Sequence, residues 1–297
     1  MRGIFRDSGT QAHFDQNGYV CEDFLDPDKI DRLRALYFST AGKGRETYGF
    51  AAPLSYYISV FDKDPEHRRA ANDGIRELFV ESIERLMIDY RILYCNFMVK
   101  EPQGGEIQAH QDFTFVDESR FVAFNLWVPL QDTHLKNGCF HLVPGSNRLL
   151  QSYRSSTVPD TLAAHNEALK PFMIPLPLAA GRGILFDQKL FHYSPDNESQ
   201  VPRVAVQLVV IPREAQPLIA YYDRQSPESV RLLAITDDAY LTNCNLWETP
   251  SGLPLIETRP YSKLPDRAAL VEMLRRHRSA DRRDSSPALQ AGGSGRS

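Results

Sequence analysis

The sequence predicts a mainly β protein with flanking helices, an antiparallel sandwich or jelly roll whose helices group toward the N-terminal side. Three observations predict it. From Arg91 onward, short apolar segments recur at close spacing, separated by Gly, Pro and Asn-Gly turns. Before Arg91, the apolar residues fall at helical spacing instead. No internal repeat interrupts either pattern.

In chain order, residues 1–15 are polar and read as mobile. Asp26 and Pro27 form an N-cap and first-turn pair, and Ile30, Leu33, Leu36 and Tyr37 share one face of the helix that follows. The aromatic stretch Tyr48 to Tyr57 lacks a helical period. A second helix is expected from Asp73 to Met87, with Ile75, Leu78, Phe79, Ile83 and Leu86 inward. Strands are then expected in RILYCNFMVKEP, EIQAHQD, RFVAFNLWVPL and CFHLVPG. A partly helical insert over 147–170 follows. GRGILFDQKLFH is read as one strand ending at His192, with RVAVQLVVIP and LIAYYD after it. The reading is one domain over 1–278, with N-terminal helices at 27–88 and the β core at 91–224. The tail 279–297 is low in apolar residues and expected to be disordered.

Composition narrows the function classes. The chain has 297 residues and a net charge of −4, so nothing suggests nucleic acid as a partner. No apolar run is long enough to span a membrane, and no leader peptide is visible. Cys21, Cys95, Cys139 and Cys244 form no CxxC pair and read as thiols of a reducing, cytoplasmic protein.

The chemistry concentrates in IQAHQDFTFVDE. His110 and Asp112 are one residue apart, and on a strand such residues point to one face. His192 supplies a third ligand. Two imidazoles and one carboxylate form the facial triad of non-heme Fe(II) oxygenases, which leaves positions open for a co-substrate and O₂. Arg203 opens an apolar strand and needs an anionic partner there, either a protein carboxylate or a bound one. By strand parity Gln108 joins the face of His110, Asn125 shares a face with Trp127, and Gln207 shares one with Arg203. Gln111 points away and is read as structural. His141 is read as a core histidine. Asp117 and Glu118 are read as solvated charges, and Asp187 as a turn residue.

The ordered set HQD, FNLWVPLQD, NGCFHLVPGSNR, LFDQKLFHYSPDN and VPR resembles the phytanoyl-CoA dioxygenase family of Fe(II)- and 2-oxoglutarate-dependent oxygenases. The similarity runs from Gly18 to Pro212. It implies a double-stranded β-helix (jelly-roll, cupin-like) core, and Fe(II) held by His110, Asp112 and His192. It also implies 2-oxoglutarate held by Arg203, with Ser194 and Trp127 beside it; strand parity, apart from the resemblance, adds Asn125 and Gln108 as co-substrate or iron-shell contacts, against a structural hydrogen bond for each. The retained Asp112 disfavours halogenation, for which related enzymes carry Gly or Ala. The expected activity is oxidation of a small molecule at an unactivated C–H, with O₂ as oxidant and a secondary metabolite preferred over an acyl-CoA. A non-oxidative cupin-like metalloprotein is the alternative. Tyr48–Tyr57 and Tyr221–Trp247 are the expected specificity elements, or else contacts of a homodimer.

Overall fold

A computed structural model describes residues 3–40, 56–159, 161–242 and 250–284. The chain divides into two compact units, 1–264 and 265–297. In the first unit three helices are long: α1 (Ser8–Asn17), α2 (Pro27–Thr40) and α3 (Pro65–Leu86). Helix α1 lies where the polar composition suggested mobility. It forms because Asp7 caps it, accepting from the Thr10 N–H at 2.7 Å, and because Phe14 is buried against Phe5 and Phe124. Asp26 caps α2 through the Lys29 N–H. Helix α3 begins two turns earlier than expected, since Asp64 caps it and Pro65 occupies its first turn.

Among the described residues thirteen strands follow the expected density: β1 (Tyr19–Asp23), β2 (Tyr56–Ile58), β3 (Tyr90–Lys100), β4 (Ile107–His110), β5 (Phe124–Pro129), β6 (Phe140–Leu142), β7 (Ile174–Leu176), β8 (Arg182–Asp187), β9 (His192–Ser194), β10 (Arg203–Pro212), β11 (Leu218–Tyr222), β12 (Ser229–Ala234) and β13 (Leu255–Pro260). They form a six-stranded sheet β1-β8-β5-β10-β3-β2, a four-stranded sheet β4-β9-β6-β7 and a three-stranded sheet β11-β12-β13, all antiparallel in pairing. The first two sheets are the jelly-roll core.

One expected strand is in fact two. GRGILFDQKLFH breaks after Asp187, and His192 begins β9 in the other sheet. The break is built by Asp187, whose carboxylate accepts from the Lys189 N–H at 2.9 Å, and by the Leu190 N–H bonded to the Asp187 carbonyl. Asp187 is therefore the turn residue its sequence context suggested. Strands β12 and β13 were not expected. Their pattern is irregular, with a register shift between Leu232 and Leu233.

The large sheet separates two cores. One face, with Phe97, Leu126, Val206 and Leu208, packs on Leu33, Ile75, Phe79 and Ile83 of the helices. The opposite face carries Trp127, Ile184, Phe186 and Ala205, packed on Phe140 and Leu142 of the small sheet. Register places Tyr94, Asn96, Met98 and Lys100 on that inner face, opposite Val209, Gln207, Ala205 and Arg203. Full burial of both faces explains why β5 and β10 read as near-continuous apolar runs.

In the second unit, α6 (Arg267–Asp284) is the sixth helix, after the one-turn helices α4 (Asn166–Leu169) and α5 (Ala239–Thr242) of the first. Asp266 caps α6 through the Ala269 N–H, and its Ala, Leu and Arg content favours a helix. The helix thus continues six residues into the stretch from Ser279 that composition marked as disordered; 285–297 lie outside the described residues. No helix among the described residues is long and apolar enough to cross a membrane.

Candidate metal centre and anion pocket

Strands β4 and β9 pair so that His110 stands directly opposite His192. Their ring centroids are 4.1 Å apart. Asp112 lies beyond the end of β4, so strand parity does not aim it. Its N–H donates to the Gln188 carbonyl at 2.9 Å, and its own carbonyl accepts from Arg154 Nε at 2.6 Å. This anchoring brings Asp112 Oδ1 to 3.5 Å from His110 Nε2 and Oδ2 to 3.7 Å from His192 Nε2. The ligand atoms of the three residues all lie within 4.8 Å of one another, a group able to hold a metal ion.

The hydrogen bonds prepare both imidazoles as ligands. His110 Nδ1 is 2.7 Å from the Gln108 carbonyl and His192 Nδ1 is 2.9 Å from the Leu190 carbonyl. A carbonyl only accepts, so each Nδ1 carries the proton and each Nε2 offers a lone pair toward Asp112. His192 is held between Phe140, stacked at 5.0 Å, and the edge of Phe186 at 4.9 Å. Burial, and then the neighbouring His110, pull the His192 pKa down to about 4, which keeps the ring neutral. For His110, burial is opposed and outweighed by hydrogen bonding to Asp112 and by its charge, and the pKa rises. Burial would raise the Asp112 pKa, but His192, His110 and Asn125 together lower it.

Asn125 donates its amide to Asp112 Oδ2. Its other atom, Oδ1, is buried without a partner among the described residues. Asn125 thus sits against the carboxylate ligand, as the polar residue inside an apolar strand suggested it should sit against something. Gln108 is exposed at the mouth of the site, and its main-chain carbonyl, not its side chain, contacts His110. Gln111 donates to the Lys189 carbonyl at 2.7 Å.

A second cluster lies on the inner face at the Lys100–Arg203 row. Arg203 is 2% exposed. Its Nη1 donates to the Gly138 carbonyl at 2.6 Å and to Ser194 Oγ at 3.1 Å, and its guanidinium carbon lies 5.1 Å from the Trp127 ring centroid. Ser194 Oγ donates in turn to the Gly138 carbonyl at 2.7 Å. Gly138 turns at φ 71°, and a Cβ there would come within 2.6 Å of the Pro195 carbonyl oxygen. Arg203 Nε is buried without a partner, and among the described residues no carboxylate pairs with Arg203. Of the two partners its position allowed, the described residues supply no protein carboxylate.

Sequence reasoning missed Lys100, which is fully buried in this cluster. Its Nζ lies 2.9 Å from Ser194 Oγ, 3.1 Å from the Ser194 carbonyl and 2.5 Å from the Pro195 carbonyl, in hydrogen-bond contact with all three. Burial, and then Arg203, pull its pKa down to about 6; burial lowers that of Arg203 to about 10. Parity could have found Lys100, since it continues the face of Tyr94, Asn96 and Met98. Glu118 was misread as a solvated charge. Its side chain is 10% exposed and forms a two-pronged ion pair with the guanidinium of Arg154. Asp117 makes a local turn with Ser119. His141 is buried on the face opposite His192, bonded to the Cys139 carbonyl and packed on Tyr193, which is a structural role.

His110 and Asp112 of the triad line a cavity of about 660 Å³ that also meets Asn125, Gln207, Met98 and Phe113. Of the two expected specificity elements, residues 48–55 of the first and 243–247 of the second lie outside the described residues. Tyr56 lines this cavity.

Residues 14–205 match the profile of the family described as Phytanoyl-CoA dioxygenase (PhyH). Phytanoyl-CoA dioxygenase 1 of Oryza sativa subsp. japonica is 30% identical over 129 residues, which is 41% of this chain and 45% of that protein. The chain thus spans less than half the length of this relative. Among solved structures, the non-heme alpha ketoglutarate dependent carbocyclase SnoK from nogalamycin biosynthesis matches with TM-score 0.54 at 20% identity, over 84% of this chain and 96% of its own. EctD from S. alaskensis, solved with 2-oxoglutarate and 5-hydroxyectoine, matches with TM-score 0.53 at 21% identity, over 74% and 81%. At these identities the structural likeness establishes the jelly-roll fold.

Proposed function

The chain belongs to the phytanoyl-CoA dioxygenase family, and on that premise we propose that it is an Fe(II)- and 2-oxoglutarate-dependent dioxygenase that hydroxylates a small molecule. The observation that carries the reading is the pairing of two incomplete sites, the His-Asp-His group on the small sheet and the Arg203 cluster on the inner face of the large one. A His-Asp-His group has its Nε2 and carboxylate atoms converging, and a buried Arg203 has no protein carboxylate beside it among the described residues.

The residues fit the cofactors. His110, Asp112 and His192 form a donor set suited to a divalent iron, with neutral imidazoles and one carboxylate. Bound Fe(II), with 2-oxoglutarate and O₂, supplies oxidation of an unactivated C–H bond while 2-oxoglutarate is converted to succinate and CO₂. The protein's own part is positional. Asn125 fixes the rotation of the Asp112 carboxylate, and Arg154 fixes its backbone. Arg203, Ser194 and Lys100 receive the distal carboxylate of the co-substrate, with charge-assisted hydrogen bonds in a site closed to water. Trp127 covers the guanidinium. Asp112 occupies the position that halogenases leave open, so oxygen insertion is the expected outcome. SnoK and EctD, which share the fold, are linked by their descriptions to alpha-ketoglutarate or 2-oxoglutarate and to small molecules, and this supports a small-molecule substrate.

The test is anaerobic addition of Fe(II) and 2-oxoglutarate to the full chain. A visible charge-transfer band should appear and saturate with both components. A correctly folded protein that shows no band would sink the proposal.

A further inference from the structure

Next to the triad cavity lies a second one of about 280 Å³. Phe113, Ser155 and Ser156 line both. Phe113 directly follows Asp112, so the partition between the cavities stands beside the metal-binding carboxylate. The far wall comes from β11 and the segment after β12, through Tyr221, Thr236 and Tyr240. Among the described residues, neither cavity has a free cation in its wall. The second is lined by no Asp, Glu, Lys, Arg or His among the described residues. In the first, the charged groups are the two triad members His110 and Asp112 and Glu106, which is held by Lys170 at 2.8 Å and Asn166 at 2.6 Å. Arg231 approaches from outside, stacked 4.9 Å over Tyr221, and is paired with Asp223 at 3.8 Å.

What the second cavity offers is rings, aliphatic surface and hydroxyl oxygens. Thr236 Oγ1 donates its proton to Asp238 at 2.7 Å, which leaves its oxygen as an acceptor. Ser155 and Thr157 bond each other at 3.0 Å, so one proton is consumed between two oxygens. Such a wall accepts from hydroxyl groups and stacks on rings. Its hydroxyls can donate to a phosphate, but among the described residues no cation stands in the wall to neutralise one, and burying an anion without a counter-charge is costly.

We propose that the second cavity, reached past Phe113, seats the non-reacting part of the substrate and takes an uncharged, hydroxyl-bearing ring body such as a glycosylated aromatic, not a nucleotide carrier such as coenzyme A. The proposal rests on the oxygenase reading of the triad and deepens it. The substrate's reacting carbon lies in the larger cavity beside the triad, while its ring body is held across Phe113.

The test uses the full chain with Fe(II) and 2-oxoglutarate under anaerobic conditions. The probes are a panel of neutral naphthyl and coumarin glycosides, with coenzyme A for comparison. Binding is read by calorimetry and by perturbation of the charge-transfer band. At least one glycoside should bind ten-fold or more tightly than coenzyme A. Thr236→Trp and Ala239→Trp, which fill the second cavity from partly or fully exposed positions, should each weaken that glycoside at least ten-fold. Band formation is read in the same samples. Its absence in wild-type protein counts against the oxygenase reading, while the glycoside and coenzyme A affinities still judge the cavity. The proposal is overturned if coenzyme A binds as well as the best glycoside, if no glycoside binds at millimolar concentration, or if both tryptophans leave glycoside binding unchanged.

Discussion

Arg154 donates its Nε–H to the carbonyl of Asp112 at 2.6 Å, and its guanidinium is held by Glu118. A carboxylate beyond the end of its strand is thereby fixed by a buried ion pair 36 residues apart in sequence. The pair is almost closed to solvent, at 9% and 10% side-chain exposure.

Breaking that pair should cost both stability and metal binding. Glu118→Gln leaves the Arg154 charge partly uncompensated, and truncating one member of a buried pair costs about 3–5 kcal/mol. Because Arg154 also holds Asp112, Fe(II) affinity should fall roughly 10–100-fold. Urea unfolding and an anaerobic Fe(II) titration measure the two effects. Loss of stability with unchanged affinity would confine Arg154 to a structural role.

Asn125→Ala removes the amide that bonds Asp112 Oδ2. Fe(II) affinity should drop about 10–100-fold with the fold retained. Equal metal affinity in the variant and the wild type would show that Asn125 does not orient the ligand.

The two ends of the site should separate kinetically. Asp112→Ala should abolish succinate formation at any 2-oxoglutarate concentration. Arg203→Ala should chiefly weaken 2-oxoglutarate, by about 2 kcal/mol or roughly thirty-fold, the scale of a hydrogen bond to a charged group. An Arg203→Ala enzyme with wild-type KM for 2-oxoglutarate contradicts the assigned role.

Lys100 sets a pH dependence. Its pKa in the folded chain is about 6, below the ordinary 10.5. Between those values the unfolded chain holds the extra proton, so this group's contribution makes stability rise with pH across that window. Lys100→Met should therefore raise the melting temperature most at pH 6 and below, with the gain shrinking toward pH 10. A carboxylate arriving beside Lys100 favours the ammonium, so binding 2-oxoglutarate at pH 8 should take up a proton and weaken as pH rises. Calorimetry in two buffers of different ionisation enthalpy reads the uptake. Its absence would place the co-substrate away from Lys100.

Much of this protein was legible in the chain. Strand density and Asn-Gly turns announced a jelly roll because apolar alternation and turn chemistry are local properties. His110, Asp112, His192 and Arg203 stood out because polar groups at strand ends or inside apolar runs need partners. Helix α1 was not legible, since one buried aromatic and one cap outweighed a polar composition. Asp187 read as a turn residue, but that the turn divides an apolar run and carries His192 from one sheet to the other was not legible.

The tertiary structure decided the rest. Pairing of β4 with β9 sets His110 against His192, and no strand parity within one segment could supply that register. Lys100 and Arg203 meet because antiparallel register aligns the end of β3 with the start of β10. Glu118 became a buried anchor only because Arg154, from a distant loop, reached it. Side-chain type specifies what chemistry a residue can perform. Whether it performs that chemistry depends on partners brought from far along the chain, and those follow from sheet register and the packing of two sheets.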